Sequence, residues 1–292
     1  MLRFADMEVV QGARASLRPA RRGTFRLLME AVREIRSRRR LVRYLVDADL
    51  QKKGANTLLG NIWWILDPLL QMAVYVILVT VIFARTQPAY PLFIFAAILP
   101  WKWFTTVTAD AIQSVSGQDK LIKQLQFPKI VLPAAAMLSG VFEFAFGLIP
   151  LAGMLLLMYP DRINITLVWI PVVAAVQFVF SFAFGLILSA LNVFFRDIGN
   201  LARHALRLWF YVSPALYGAD TVATVGKTHP TIEHVMMLNP FYAILNSYRN
   251  VIYYGTAPDL AGLAVVMGAS IVLLLTATMI FKRLEPAFAK IL

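Results

Sequence analysis

Residues 163–195 contain no Asp, Glu, Lys or Arg, and neither do residues 260–281. A helix needs about 20 predominantly apolar residues to cross the hydrocarbon core of a bilayer. In lipid, every backbone polar group must be satisfied within the segment, so such runs fold as spanning helices. Six segments meet or approach this condition: residues 62–84, 92–114, 130–158, 168–192, 200–219 and 260–281. The fifth has only twelve apolar residues, 208–219, and reaches full length if Arg203 and Arg207 lie at the headgroups. With 15% charged residues, against about 25% in a soluble domain, the composition agrees. The expected fold is an all-α integral membrane protein, with a basic N-terminal segment (1–61) ahead of a six-helix domain (62–292).

Loop charges give the orientation, because cytoplasmic segments collect Lys and Arg. With the N-terminus inside, 23 basic residues fall on the inner side and four on the outer, and Lys102 lies within a span. The expected topology is N-in/C-in. Fourteen of the 28 basic residues precede Asn61, so the net charge of +12 sits beside a membrane and does not suggest nucleic acid. Residues 1–23 lack the apolar core of a signal peptide, which leaves the first span as the targeting signal. There is no cysteine, and three scattered histidines offer no cluster, so no metal site is expected.

Residues 224–228 read T-V-G-K-T, the ending of an ATP-binding P-loop. That loop needs G-x-x-x-x-G-K-[ST], and the position of the first glycine is Thr221. The topology also puts Gly226-Lys227-Thr228 outside. ATP hydrolysis by this chain is not expected.

Three segments do more than span. Residues 24–50 alternate Phe25, Leu28, Val32 and Ile35 with Arg26, Arg33, Arg36 and Arg38 to Arg40 at helical spacing, the pattern of an interfacial helix whose basic groups meet anionic membrane lipid. Between Gly117 and Pro128, Leu121, Ile122 and Leu125 share one helical face and Lys120, Lys123 and Gln124 another. This short inner-side helix reads either as a docking helix for a partner or as a turn on the membrane. On the outer side, residues 241–254 are aromatic and too short to span. They read as re-entrant or interfacial structure, which is tolerated only against protein or a water-filled cavity, and so as part of an external gate.

Ionisable residues at membrane depth are functional candidates. Lys102 and Glu143 both fall near the midplane of their spans, and an intramembrane ion pair between them is expected. The first span carries Trp64, Gln71 and Tyr75 on one face, next to Trp63. The fifth carries Phe210, Tyr211 and Tyr217. Such aromatic faces either line a passage for sugar rings or form an interfacial belt.

Several stretches taken in order resemble a known family. They are Leu59-Gly60-Asn61-Ile62-Trp63-Trp64 with Pro68; Leu99-Pro100-Trp101 with Phe104; Leu121-Ile122 with Phe127-Pro128 and Leu132-Pro133; Leu191-Asn192-Val193-Phe194-Phe195-Arg196-Asp197; Ser213-Pro214; and Leu238-Asn239-Pro240 with Tyr248-Arg249. Together they are similar to the permease subunit of ABC-2 type exporters of cell-surface polysaccharides, the O-antigen, capsule and teichoic-acid group. The chain departs from the pattern at Lys53-Gly54, where the family usually has an Arg-Tyr-like pair, and at Lys102.

The resemblance implies a multi-pass subunit of the bacterial cytoplasmic (inner) membrane. Two copies would form a channel lined by the first and fifth spans, with Trp63, Trp64, Gln71, Tyr75, Phe210, Tyr211 and Tyr217 as lining. Two copies of a separate ABC ATPase would use ATP and Mg below it, and this chain would bind no cofactor. Gln118, Lys120, Leu121, Ile122, Leu125 and Phe127 would couple to the ATPase, with Arg196 and Asp197 holding the next connection. The substrate would be a lipid-linked polysaccharide, its pyrophosphate met by Arg203 and Arg207. The competing readings are an ABC-2 exporter of a small molecule or lipid, an ion-coupled transporter, and a membrane enzyme acting on polyprenyl-linked sugars. That enzyme would need a carboxylate pair for a metal, for which Asp47-Ala48-Asp49 is the available pattern.

Overall fold

The computed structural model describes residues 24–55, 57–82 and 87–292, and the described residues are helical with no strand. Residues 1–23, the end of the first span at 83–84, and Arg85 lie outside them. Two N-terminal helices, α1 (Thr24–Ser37) and α2 (Arg39–Gly54), stand where the sequence suggested one. The 3-10 turn Gly60–Ile62 leads into α3 (Trp63–Val76), which continues as a π-helical turn, Ile77–Ile82. Then come α4 (Tyr90–Ser116), the short α5 (Asp119–Gln124), α6 (Val131–Leu157) and α7 (Ile170–Phe194). The second half holds α8 (Ile198–Val212), α9 (Ala219–Thr228), α10 (Pro230–Met237), α11 (Pro240–Arg249) and α12 (Leu260–Ile291).

Among the described residues, five segments are long and apolar enough to cross a membrane: Gly60–Ile82, Tyr90–Ser116, Val131–Leu157, Ile165–Phe194 and Leu260–Ile291. They match five of the six expected spans within a few residues, except that α12 runs on past residue 281. The sixth expectation, one continuous helix over 200–219, is not met. Helix α8 stops at Val212, and Ser213 turns to extended backbone (φ −82°, ψ 148°). The cause is Pro214, which disfavours helical geometry in the residue before it and has no N–H to continue the ladder.

Helix α4 is the centre of the molecule. Its apolar side chains from Leu92 to Val107 are almost all buried. Helix α6 packs closely on it because Gly140 and Gly147 face it: a Cβ on Gly140 would lie 1.9 Å from Val107 Cγ1, and one on Gly147 2.3 Å from Leu99 Cδ1. Small residues let apolar helices approach when lipid offers no hydrophobic drive. Polar ties add direction. Gln177 Nε2 donates to the Pro100 carbonyl (2.7 Å), and Asn192 Nδ2 donates to the Ile112 carbonyl (3.1 Å) and to Ser116 Oγ (2.8 Å).

The contacts along α4 show how the second half is laid out. Gly199, at the start of α8, sits beside Gln113, while Trp209 and Phe210 sit beside Trp101. Phe241, at the start of α11, packs on Trp101 and Phe104 in the middle of α4. Arg249 lies over Phe93, and Tyr253 donates to the Pro88 carbonyl. Helix α11 therefore begins at the middle of α4 and runs back to its first end. At the opposite end, α1 packs on α12, where Lys282 pairs with Glu34 and with Glu285 (3.0 Å), and α2 packs on α6. Arg26, Arg33, Arg36, Arg38, Arg39, Arg40 and Arg43 remain exposed, while Ala31, Val42 and Val46 are buried. Val32, expected on the apolar face, is exposed.

Candidate functional site: a cationic aromatic cavity and its surroundings

Three helices contribute residues at helical spacing to one cavity of about 320 Å3. Helix α3 supplies Gln71 and Tyr75, α4 supplies Trp101, Thr105 and Ala109, and α8 supplies Arg203, Leu206, Arg207, Phe210 and Tyr211. Each set repeats at i, i+4 and so presents one stripe to a shared space. The rings are in mutual contact: Tyr75 to Phe210 at 5.6 Å, Trp101 to Phe210 at 5.5 Å and Phe210 to Tyr211 at 5.4 Å between centroids. No carboxylate of the described residues lines the cavity. Among the described residues neither Arg203 nor Arg207 forms an ion pair, and Arg203 donates to Asn200 Oδ1. The result is a pocket with aromatic faces at one side and two cations at the other.

Six of the sequence-derived residues meet here: Gln71, Tyr75, Arg203, Arg207, Phe210 and Tyr211. Two tryptophans do not. Trp63 is exposed and lines neither this cavity nor its neighbour, and Trp64 turns to the neighbour. Tyr217 is also elsewhere: its hydroxyl donates to the Val212 carbonyl (2.9 Å), and it lies beyond the Pro214 break. Of the four residues that sequence reading missed, Trp101, Thr105 and Ala109 come from α4 and Leu206 from α8. The i, i+4, i+8 spacing of the first three was available, but most of α4 is apolar and buried, so this stripe does not stand out from it.

The neighbouring cavity, about 150 Å3, is lined by Trp64, Asp67, Pro68, Leu99, Lys102, Trp103, Thr106, Glu143 and Phe144. Lys102 and Glu143 share it, but the ion pair expected between them is not formed. Lys102 Nζ is 3.0 Å from Asp67 Oδ2, and Glu143 pairs with Lys53. Lys53, at the end of α2, also reaches Asp110 (2.6 Å) and Asp49 (3.2 Å). Burial works against its charge, but Asp110 and Glu143 outweigh that and hold its pKa above the ordinary lysine value. The Asp49, Asp110 and Glu143 oxygens lie within 4.8 Å of one another; the Lys53 ammonium donates to Asp110 and Glu143 and stands at ion-pair distance from Asp49. Asp47 is exposed while Asp49 faces Lys53, so the Asp47-Ala48-Asp49 pattern does not present two carboxylates together.

On the α1/α12 end, α5 is the short helix the sequence suggested, with a different exposed face. Ile122 and Phe127 are buried in an apolar cluster with Val131, Phe281 and Phe288, and Leu121 packs against it. Gln118, Lys120 and Leu125 remain on the surface. Apolar side chains in a short connection are drawn inward when a larger cluster is within reach. Arg196 and Asp197 are exposed at the α7–α8 turn. Their expected part in holding that connection falls to Asn192, whose Oδ1 accepts from Gly199 N (3.1 Å). Arg196 instead lines an open cleft of about 370 Å3 with Gln113, Ser116, Gly117, Asp119, Asn192 and Leu292.

At the far end of α4, three separate motifs become one structure. Asn239 accepts from Trp209 Nε1 (3.1 Å) and Phe241 N (3.0 Å) and donates to Ser213 Oγ (2.8 Å). Arg249, fully buried, donates to the carbonyls of Pro214, Ala215 (2.6 Å) and Tyr217 (2.7 Å), and stacks 3.9 Å over Phe93. The Ser213-Pro214, Asn239-Pro240 and Tyr248-Arg249 motifs together satisfy the backbone that the break in α8 leaves unbonded. Gly226-Lys227-Thr228 closes α9 at its C-terminal end, the wrong pole for a phosphate, which binds at helix N-termini.

Five long apolar segments among the described residues, four of them arranged around the buried α4, make this a multi-pass membrane protein. It belongs to the ABC-2 type transporter family, whose model matches residues 40–253. The chain is 32% identical over 263 residues to the O-antigen export system permease protein RfbA of Myxococcus xanthus, covering 90% of this chain and 99% of that protein. It is 26% identical over 249 residues to an O-antigen export system permease protein RfbA of Klebsiella pneumoniae, covering 85% and 93% respectively.

Proposed function

We propose that this chain is the permease subunit of an ATP-driven exporter that carries a lipid-linked cell-surface polysaccharide across the cytoplasmic membrane. The observation that carries the reading is the cavity between α3, α4 and α8. Aromatic faces stack on sugar rings without strong directional bonds, so a chain can slide past them. Two unpaired arginines at one end suit a pyrophosphate, which a planar guanidinium binds by two parallel hydrogen bonds. The nature of the two full-length relatives supports the same substrate class.

In this reading α8 and residues 213–218 beyond it form a sixth crossing, the chain is N-in/C-in, and α9 to α11 close the outer side. The charge asymmetry of the loops supports the orientation. A second copy completes the passage against the exposed faces of α3 and α8. Two copies of a separate ATPase dock on the exposed face of α5 and the Arg196 cleft and supply the ATP and Mg chemistry, with no cofactor held by this chain. The exposed arginines of α1 and α2 meet anionic lipid.

The test is the double variant Arg203→Ala/Arg207→Ala, assayed for glycan display in cells and for co-purification with the ATPase. Display falls and assembly persists if the arginines meet the pyrophosphate; undiminished display removes that role. A cavity of this size also holds a small amphiphile. In that case deleting the chain leaves glycan display intact and changes sensitivity to a small molecule.

A further inference from the structure

The two cavities share α3 as a wall, and the charges beside the smaller one do not balance. Lys53 faces three carboxylates, Asp49 from its own helix, Asp110 from α4 and Glu143 from α6, an excess of two formal negative charges. A pairing whose purpose was only to join helices would match one charge with one, since unmatched buried charge is destabilising. The second cation, Lys102, lines the same cavity as Glu143 and is bound instead to Asp67 of α3. That pair is 39% and 48% exposed at its two side chains, and so exposed a pair holds weakly. Lys102, Thr106 and Asp110 follow one another at i, i+4 along α4; the first two line the cavity, and the carboxylate one turn further on is bound to Lys53. The other charged group near Asp110 is Lys52.

We infer that these residues form an ion-pair exchange switch between α2 and the first span. In the arrangement seen, Lys53 holds α2 to α4 and α6, and Lys102 holds α3 through Asp67. When α2 withdraws, Lys53 leaves with its helical partner Asp49, and Glu143 loses its cation. Lys102 then crosses the small cavity to Glu143 and releases Asp67. Gln71 and Tyr75 follow Asp67 at one and two turns, so releasing Asp67 frees the helix that walls the larger cavity. A movement at the inner helices thereby reaches the passage through two discrete pairings, the kind of bistable element that transmits a conformational change.

The first test needs no transport. In the purified full-length chain, Lys102→Met, Glu143→Gln and the double variant are compared by melting temperature, with Lys53 present and again in a Lys53→Met background. With Lys53 present the two shifts add. Without it the double variant departs from the sum, because Lys102 and Glu143 have become partners. Additive shifts in both backgrounds overturn the switch, and so does a departure of equal size in both.

The second test rests on the exporter reading. The chain has no native cysteine, and Val46 of α2 and Ala135 of α6 lie in one buried cluster where these helices pack. A Val46→Cys/Ala135→Cys pair, bridged by a short cleavable thiol reagent, pins α2 in place without touching the charges. Bridging is expected to abolish glycan display, and reduction to restore it. Display that persists when bridged overturns the switch. Absence of display in the unsubstituted chain under the same conditions counts against the exporter reading instead, and leaves the melting cycle to judge the switch.

Discussion

Helices α3 and α4 are consecutive, both apolar enough to cross a membrane and in contact, yet they have opposite relations to the rest of the chain. In the most apolar stretch of α4, 78% of residues are buried inside the protein; for Gly60–Ile82 the figure is 6%. Helix α4 is gripped by glycines of α6, by Gln177 of α7 and by Arg249 beyond the α8 break. Helix α3 rests on it through Pro68 and the exposed Lys102–Asp67 pair, and turns Leu70, Val74, Ile77 and Val81 outward. The comparison shows that hydropathy reports what a helix avoids, namely water, and not what it touches. One of these helices is scaffold, and the other is a wall with freedom to shift.

The largest expected effect comes from attacking the scaffold where it is most densely bonded. Arg249→Met leaves several buried carbonyls without a donor at about 1–3 kcal/mol each. The full-length protein should then fail to accumulate in the membrane, as measured by immunoblot of membrane fractions. Gly140→Val drives a side chain into Val107 and should cost about 1–3 kcal/mol, visible as a lower melting temperature in detergent. Val74→Ala, on the outward face of α3, should stay within about 0.5 kcal/mol of the parent in the monomeric chain. A larger loss for Val74→Ala in that monomeric chain would mean that α3 is held as firmly as α4, and the contrast would fail.

Long apolar runs, two of them free of charge, made five spans legible, because nothing else accommodates such stretches. The break in α8 was harder to read. Ser213-Pro214 was visible as a motif, but its repair depends on Asn239 and Arg249, which lie 26 and 35 residues further on. The cavity was half legible, since Gln71, Tyr75, Phe210 and Tyr211 share faces at helical spacing. Trp101 was not, because on a helix buried all round no face stands out. The Lys102–Glu143 pairing failed for a related reason. Both residues were placed at the right depth and beside the same space, but the partners that hold them come from α2 and from Asp67 near the start of the first span. Pair choice at that layer is decided by which neighbour arrives, and the sequence of either span alone does not contain that information. Ile122 and Phe127 misled in the opposite sense, having the look of a docking face while completing an internal cluster.

Arg249 grips main-chain oxygens and no side chain of residues 214–217. A clasp of that kind is indifferent to what those residues are, provided their backbone follows the same path. Leu216 and Tyr217, both partly exposed, can therefore drift in evolution, or be exchanged by design, while the joint they form is retained; Ala215 is fully buried and stays small. The chain thus has a stretch at the far end of its broken segment where the character of the wall can be rewritten without rebuilding the frame.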